Sequence, residues 1–433
     1  MNSSDQIDQF LSRVTSHIRS KEAKELVDRE LRSHIEKRIR ENKDKGSSHV
    51  EAATLAVEQM GSPSSLGRVM NQLHKPKVDW LIIGLFSLLL GAGMMPVLFF
   101  TPWMGGSSYS LISGKLLMSA VSLAVVLGIM FIDYRRILKA WPLFYWGSLS
   151  LLILFFISGN FYNGQVFFRL GDHIRIDSWF VAMLCIIGLV GLVTERKGKK
   201  YFPLTVTAAV WVPALFFGTF GSISVSILYL FTAMTILIVS LKNKREIFKL
   251  AAIQVGSAFF GLCWMLLILP GYQLRRLQYW INPNSYPGSS EAYIPNILQG
   301  FLDGSVMFGR GDSGLSLNLL NEYIFVGIVY NFGWIPASVT AVLLIGLLIR
   351  MFIITRKTAD RLGMMIVTAG VTVMIFSTSW NLLMMFGILP IVTFPLPLIS
   401  IGLTSHVIFA VFTGLILSVY RRKDIVGSQT AAG

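Results

Sequence analysis

"WLIIGLFSLLLGAGMMPVLFF", residues 80–100, runs without a charged side chain from end to end. Roughly 20 apolar residues in a helix cross the hydrocarbon core of a bilayer, so this stretch is long enough to span a membrane. Similar runs follow at 114–132, 140–157, 178–193, 201–217, 221–241, 248–269, 323–349, 363–389 and 397–420. The reading is an all-α polytopic membrane protein with ten transmembrane helices. Its composition agrees: of 433 residues 53% are hydrophobic and only 14% are charged.

The net charge of +15 invites a nucleic-acid reading, but the distribution of the bases argues otherwise. With residue 1 in the cytoplasm, the inner loops and tail carry 18 Lys and Arg. Six fall outside, namely Lys115, Arg169, Arg175, Arg275, Arg276 and Arg310, and the remaining 14 of 38 precede Trp80. Cationic side chains are retained on the cytoplasmic side, so the excess is topological. It implies anionic membrane lipids as partners and no nucleic acid. Both termini are expected in the cytoplasm of a multi-pass cell membrane protein. The two cysteines, Cys185 and Cys263, lie inside expected spans and offer neither a disulfide framework nor a metal cluster. The first 75 residues are polar and show no cleavable signal peptide, so the first span is expected to direct insertion.

Residues 1–79 read as a separate cytoplasmic helical module. Ile7, Phe10, Leu11, Val14 and Ile18 form one apolar stripe, which Leu31, Ile35 and Ile39 extend. After the break at "NKDKGSS", a third helix carries Val50, Ala53, Val57 and Met60. It stops at "GSP", and a fourth carries Leu66, Val69, Met70 and Leu73. Such a bundle could dock a partner or simply cap the chain. In "RSHIEKRIRENKDK" acids alternate with bases, as on a solvated helix face. Residues 80–422 form the membrane domain and 423–433 a cytoplasmic tail.

The interval 270–322, about fifty residues, is far longer than an ordinary connection and too apolar and aromatic for disorder. It is expected as a structured outer loop before the eighth helix. At its end, in "SLNLLNEYIFVGIVYNFGWIP" (316–336), Glu322 stands at the threshold of an apolar run. A carboxylate there either caps a helix N-terminus or serves a chemical task. Arg275, Arg276 and Arg310 are the bases of the same interval, suited to phosphate in fork geometry or to lipid headgroups.

Here the sequence resembles the SEDS family, the FtsW, RodA and SpoVE proteins. "RLQYWINP" (276–283) resembles its Arg-Ile-x-x-Phe-Leu-x-Pro element, and "GSVMFGRG" (304–311) its glycine-rich Gly-x-Gly-Lys-Gly element. "NEYIFVGIVYNFGWI" (321–335) resembles its Thr-Asp-Phe-Ile-Phe and Glu-x-Gly-Phe-x-Gly elements. "NLLMMFGILPIVTFPLPLISIGLTS" (381–405) is similar to its Asn-x5-Gly-x-x-Pro, Pro-Leu-Pro and Ile-Ser-x-Gly series, at Asn381, Gly387, Pro390, Pro395, Pro397, Ser400 and Gly402. The likeness covers roughly residues 80–422, and the N-terminal module stands outside it, resembling a helical prefix of some Gram-positive membrane proteins.

The resemblance implies an inverting peptidoglycan glycosyltransferase that polymerises a lipid-linked disaccharide precursor, lipid II, at the outer membrane face. Glu322 stands where the family has the Asp proposed as general base. Its carboxylate is one methylene farther from the chain than the family residue's. Substrate-binding roles carry over to Arg276 first, then to Arg310, Arg275, Ser400 and Asn381. The implied partners are the lipid-linked precursor and a class B penicillin-binding protein. No protein-held metal is expected, although Mg²⁺ held by the substrate diphosphate is compatible. Departures stand beside these matches. In "NGQVFFRLGDHIRIDSWFVA" (163–182) Trp179 and Ala182 replace an expected Glu and Lys, and "FGTFGSISVSILYL" (217–230) lacks an expected Asp. A catalytically weak scaffold recruiting a penicillin-binding protein, or a precursor flippase, are therefore alternative readings. Transport ranks last, because the acids after Asp79 lie in loops or at span edges.

Overall fold

The computed structural model describes residues 3–46, 48–100, 108–162, 165–170, 174–220, 222–241, 243–268, 271–283, 293–310 and 322–431. The chain divides into two compact units, Asp79–Val419 and a smaller one built from Met1–Val78 with Tyr420–Gly433.

In the smaller unit four helices, α1 (Ser3–Ser16), α2 (Lys21–Asp44), α3 (His49–Glu58) and α4 (Pro63–Leu73), enclose the expected stripe. The third helix follows its reading at Ala53, which is buried, and at Val57 and Met60, which pack against the core, and differs at Val50. Ala52, Ala53 and Ala56 are buried while Val50 is exposed, because small side chains let α3 lie close against its neighbours. Val69 and Leu73 of α4 are likewise exposed. Ser48 and Glu51 form a reciprocal cap at the start of α3, with Glu51 N donating to Ser48 Oγ and Ser48 N to Glu51 Oε2. The Arg422 guanidinium clasps Glu22 through Nε and Nη2, both at 2.8 Å.

The larger unit is a helical membrane body. Its elements in order are α5 (Trp80–Ala92), α6 (Met95–Phe100), α7 (Ser108–Phe131), α8 (Tyr134–Lys139) and α9 (Trp141–Ser158). After a small sheet come α10 (Ser178–Arg196), α11 (Phe202–Thr219), α12 (Ile223–Ser240), α13 (Lys244–Ile268), α14 (Gly271–Ile281) and α15 (Tyr293–Asp303). The series ends with α16 (Ile324–Phe332), α17 (Trp334–Lys357), α18 (Arg361–Met385) and α19 (Leu403–Ala431), whose last turns belong to the smaller unit. Among the described residues nine helices are long and apolar enough to cross a membrane, and Trp141–Ile157, at the third expected span, is a shorter apolar helix. Asp79 caps α5 and pairs with Arg350 of α17 at 2.8 Å, which places two charges of opposite sign together.

The structure departs from the sequence reading in three places. First, three strands, β1 (Asn160–Tyr162), β2 (Gln165–Leu170) and β3 (Ile174–Asp177), form an antiparallel sheet. Tyr162 pairs with Gln165, and the Asn-Gly dipeptide between them in the sequence is a hairpin signal that apolar runs do not carry. Second, the expected eighth span, 323–349, is broken at Gly333, where φ is 92°. The freed backbone groups there are taken up by the segment before it: Gly309 N donates to Phe332 O, Trp334 N to Val306 O and Ile335 N to Met307 O, each at 3.0 Å. Irregular backbone at such depth is tolerated where protein groups satisfy it. Third, the ninth and tenth spans are separated by a longer irregular segment, 386–402, because α18 ends at Met385 and α19 begins at Leu403.

Candidate active site

A cavity of about 520 Å³ opens beside this irregular segment. One wall is α14, which contributes Arg276, Tyr279 and Trp280. A second is α15, with Ile294, Pro295, Leu298, Gln299, Leu302 and Asp303. Tyr323, Trp334 and the stretch from Met384 through Ile391 complete it. The walls are tied to one another by polar and ring contacts. Tyr279 Oη donates to Asn296 Oδ1 at 3.3 Å, Trp280 Nε1 donates to Gly387 O at 3.2 Å, and the Phe301 and Tyr330 rings meet edge to face at 4.7 Å. Trp334 stacks on Phe386 at 6.4 Å, which gives the cavity an aromatic rim.

Glu322 is half-buried at the start of α16, next to the cavity residue Tyr323. Burial pushes its carboxyl above the ordinary range, against the opposing pull of a backbone hydrogen bond and of the positive charge on Arg276. The Tyr323 hydroxyl is pushed up to about 12, by burial first and then by the Glu322 charge. Glu322 and Arg276 thus interact electrostatically beside an aromatic cavity, whose wall includes Arg276 and Tyr323, the residue that follows Glu322. A raised carboxyl pKa suits a proton acceptor working near neutrality.

The other sequence candidates have different surroundings. Arg275 is exposed on α14, and Arg310 is exposed just beyond the strand-like pairing of 306–309; neither contributes to the cavity wall. Asn381 is fully buried in α18, and its Nδ2 donates to the backbone oxygens of Glu322 at 2.8 Å and of Phe394 at 2.5 Å. Ser400 is buried as well, its Oγ accepting from Leu396 N at 2.8 Å. The structure therefore brings Glu322, Arg276 and Asn381 together and sets Ser400 deeper, in the segment that Asn381 holds. Among the described residues no group of three or more His, Cys, Asp or Glu is arranged to hold a metal ion.

Sequence reasoning passed over Gln299 and Asp303. They stand four residues apart, so one face of α15 carries both toward the cavity, a spacing readable once α15 is recognised as a helix. It also counted Lys115 among the outer loop residues, whereas Lys115 lies inside α7, fully buried.

The fold and this cavity define a polytopic membrane protein with a carboxylate–arginine site at the edge of its helical body. Residues 79–425 match the family described as cell cycle protein, FtsW/RodA/SpoVE, and the chain belongs to that family, also called SEDS. It is similar to the peptidoglycan glycosyltransferase MrdB of Escherichia coli, with 23% identity over 226 residues, 51% of this chain and 60% of that protein. The Helicobacter pylori MrdB is 30% identical over 108 residues, 25% of this chain and 28% of the relative. The matched stretches thus span less than two thirds of these relatives' own length. Among solved structures, a chain from a peptidoglycan synthase complex that coordinates polymerization and crosslinking superposes with a TM-score of 0.65. Its identity is 19%, over 80% of this chain and 98% of that one. Thermus thermophilus RodA, a rod shape determining protein, gives a TM-score of 0.57 at 16% identity, over 80% and 97%.

Proposed function

We propose that this chain is a peptidoglycan glycosyltransferase extending glycan strands from a lipid-linked disaccharide, lipid II, at the outer face of the cell membrane. The observation that carries the reading is Glu322, a carboxylate raised by burial within the field of Arg276 and next in the chain to the cavity residue Tyr323. In the reaction an acceptor sugar hydroxyl attacks the donor's anomeric carbon. The new C–O bond forms as the bond to the lipid diphosphate breaks with inversion, and the hydroxyl proton passes to Glu322. Arg276 is the cationic group for the departing diphosphate, which its planar fork can engage through two oxygens. Mg²⁺ carried on that diphosphate would share the charge, and chelator titration of the assay reads its contribution.

The MrdB likeness and the peptidoglycan synthase neighbour support this activity, and that neighbour's origin in a complex supports a penicillin-binding protein as partner. The decisive experiment is polymerisation of labelled lipid II by the purified chain with its cognate partner. Glycan product from wild type and none from Glu322→Gln is the expected result. No product from wild type or Glu322→Asp sinks the reading. One observation favours the scaffold alternative: Trp179 and Ala182 are buried, Trp179 meeting Phe394 edge to face at 5.6 Å, where the family pattern has an acid and a base. The proposed topology has both termini in the cytoplasm and 270–322 outside, as the distribution of bases supports. Labelling Ser289→Cys on intact cells with an impermeant reagent tests it, and protection in a folded variant counts against it.

A further inference from the structure

Lys115 is a lysine buried in a helix that is otherwise apolar enough to cross a membrane. An ammonium in such a place is costly, so it survives only with partners and a task. Its Nζ donates to Ile399 O at 2.8 Å and to Ser400 O at 3.0 Å and lies 2.8 Å from His406 Nε2, so its hydrogen-bonding capacity is engaged on three sides. His406, buried on α19, has the same Nε2 2.9 Å from Ser400 O and its Nδ1 3.4 Å from Ser122 Oγ, while Ser122 donates to Met118 O at 2.7 Å. The charge thus holds backbone, and the backbone belongs to the irregular segment 386–402.

That segment needs an anchor. It is not helical, and Leu398, at φ 66°, is the one residue other than glycine among the described residues with a positive φ. Side chains disfavour this region, so surrounding contacts must impose it. On one side of Leu398 stand the two carbonyls held by Lys115. On the other, Leu396 N donates to Ser400 Oγ, and Phe394 O accepts from Asn381, whose amide also holds Glu322 O. The beginning of the same segment, Phe386 to Ile391, lines the cavity.

We propose that Lys115 is a positioning residue for the active site. Its three hydrogen bonds fix the segment 394–400, and through Phe394 and Asn381 they fix the backbone of Glu322 and the cavity wall. The rate consequence rests on the glycosyl-transfer reading; the structural consequence does not.

The test uses the full chain with Lys115→Met, which keeps length and apolarity but removes every donor, and Lys115→Gln, which restores two donors without charge. Hydrogen–deuterium exchange is followed at 394–402 and at 322–326. Lys115→Met is expected to lose protection in both stretches, and Lys115→Gln to recover part of it. With lipid II as substrate, kcat is expected to fall on the order of a hundredfold for Lys115→Met, as misplacement near 1 Å does, with KM little changed and partial recovery in Lys115→Gln. Exchange at 322–326 equal to wild type in both variants overturns the inference. So does loss confined to 399–402, or a kcat that stays at the wild-type value. If wild type makes no polymer, the glycosyl-transfer reading fails and the exchange arm alone decides this one. Should Lys115→Met not insert, Lys115→Gln decides by the same two readouts.

Discussion

Asn381 donates its side-chain amide to the backbone carbonyl of Glu322 at 2.8 Å while the same nitrogen reaches Phe394 O at 2.5 Å. One buried amide therefore joins α18, the threshold of α16 and the irregular segment. Asn381→Ala leaves buried carbonyls unpaired, which costs about 1–3 kcal/mol for each group left without a partner. The expected outcome is a lower midpoint of thermal unfolding in detergent and a loss of polymerisation larger than the loss of folded protein. Activity per folded molecule equal to wild type would contradict the link to Glu322.

Glu322 links stability to pH in a definite sense. Its folded pKa is raised, chiefly by burial, so the protonated form favours the fold and the charged form opposes it. The stabilising contribution is complete below the unfolded pKa and is lost as pH rises through the folded value. Glu322→Gln, which is never charged, is therefore expected to be more stable than wild type at pH 8. The gap should narrow as pH falls through the folded pKa. Thermal unfolding of both proteins across pH 4 to 8 checks this, and a gap that widens on acidification contradicts it.

Much of the fold was legible because length and absence of charge are sufficient signals for a membrane helix. The helices of the N-terminal segment were legible from their stripes, Ala53 among them, whereas Ala52 and Ala56 gave no hydrophobic contrast and their burial was not anticipated. The three strands lie between the third and fourth expected spans, where apolar residues such as Val166 and Phe167 form a run too short to read as a span. Glu322 and Arg276 were visible as charges out of place. Asn381 and Ser400 were visible only as residues matching a pattern, because their work is on backbone carbonyls and amides far away in sequence, which no local signal encodes. Lys115 was hidden for the same reason, its partners lying 284 to 291 positions away.

Gly333 breaks the helix before α17 with φ 92° and ψ 173°, a conformation essentially reserved for glycine. A Cβ there would meet Met307 O at 2.6 Å, so the paired segment 306–309 would have to move. Gly333→Ala is expected to destabilise by about 3 kcal/mol from backbone strain alone, with displacement of Trp334 at the cavity rim. Tryptophan fluorescence and thermal unfolding of the purified variant report the two effects. An unchanged midpoint would mean that the break forms without the left-handed geometry.

Arg276 opposes the rise in the Glu322 pKa while standing in the cavity wall, so its removal acts in two separable ways. Loss of the cation withdraws the attraction that favours ionised Glu322, and the folded pKa must rise further. If Glu322 is the proton acceptor, the acid limb of the pH–rate profile moves to higher pH in Arg276→Ala, and activity at pH 6 falls by a larger factor than activity at pH 8. Loss of the diphosphate contact also weakens donor binding, so KM for lipid II rises at every pH. Arg276→Lys keeps a charge but not the fork, so it should restore much of the acid limb while leaving KM high. A polymerisation profile measured from pH 5 to 9 for wild type and both variants checks the pair of effects. An acid limb at the wild-type position in Arg276→Ala would mean that the titrating group lies elsewhere, even if KM had risen.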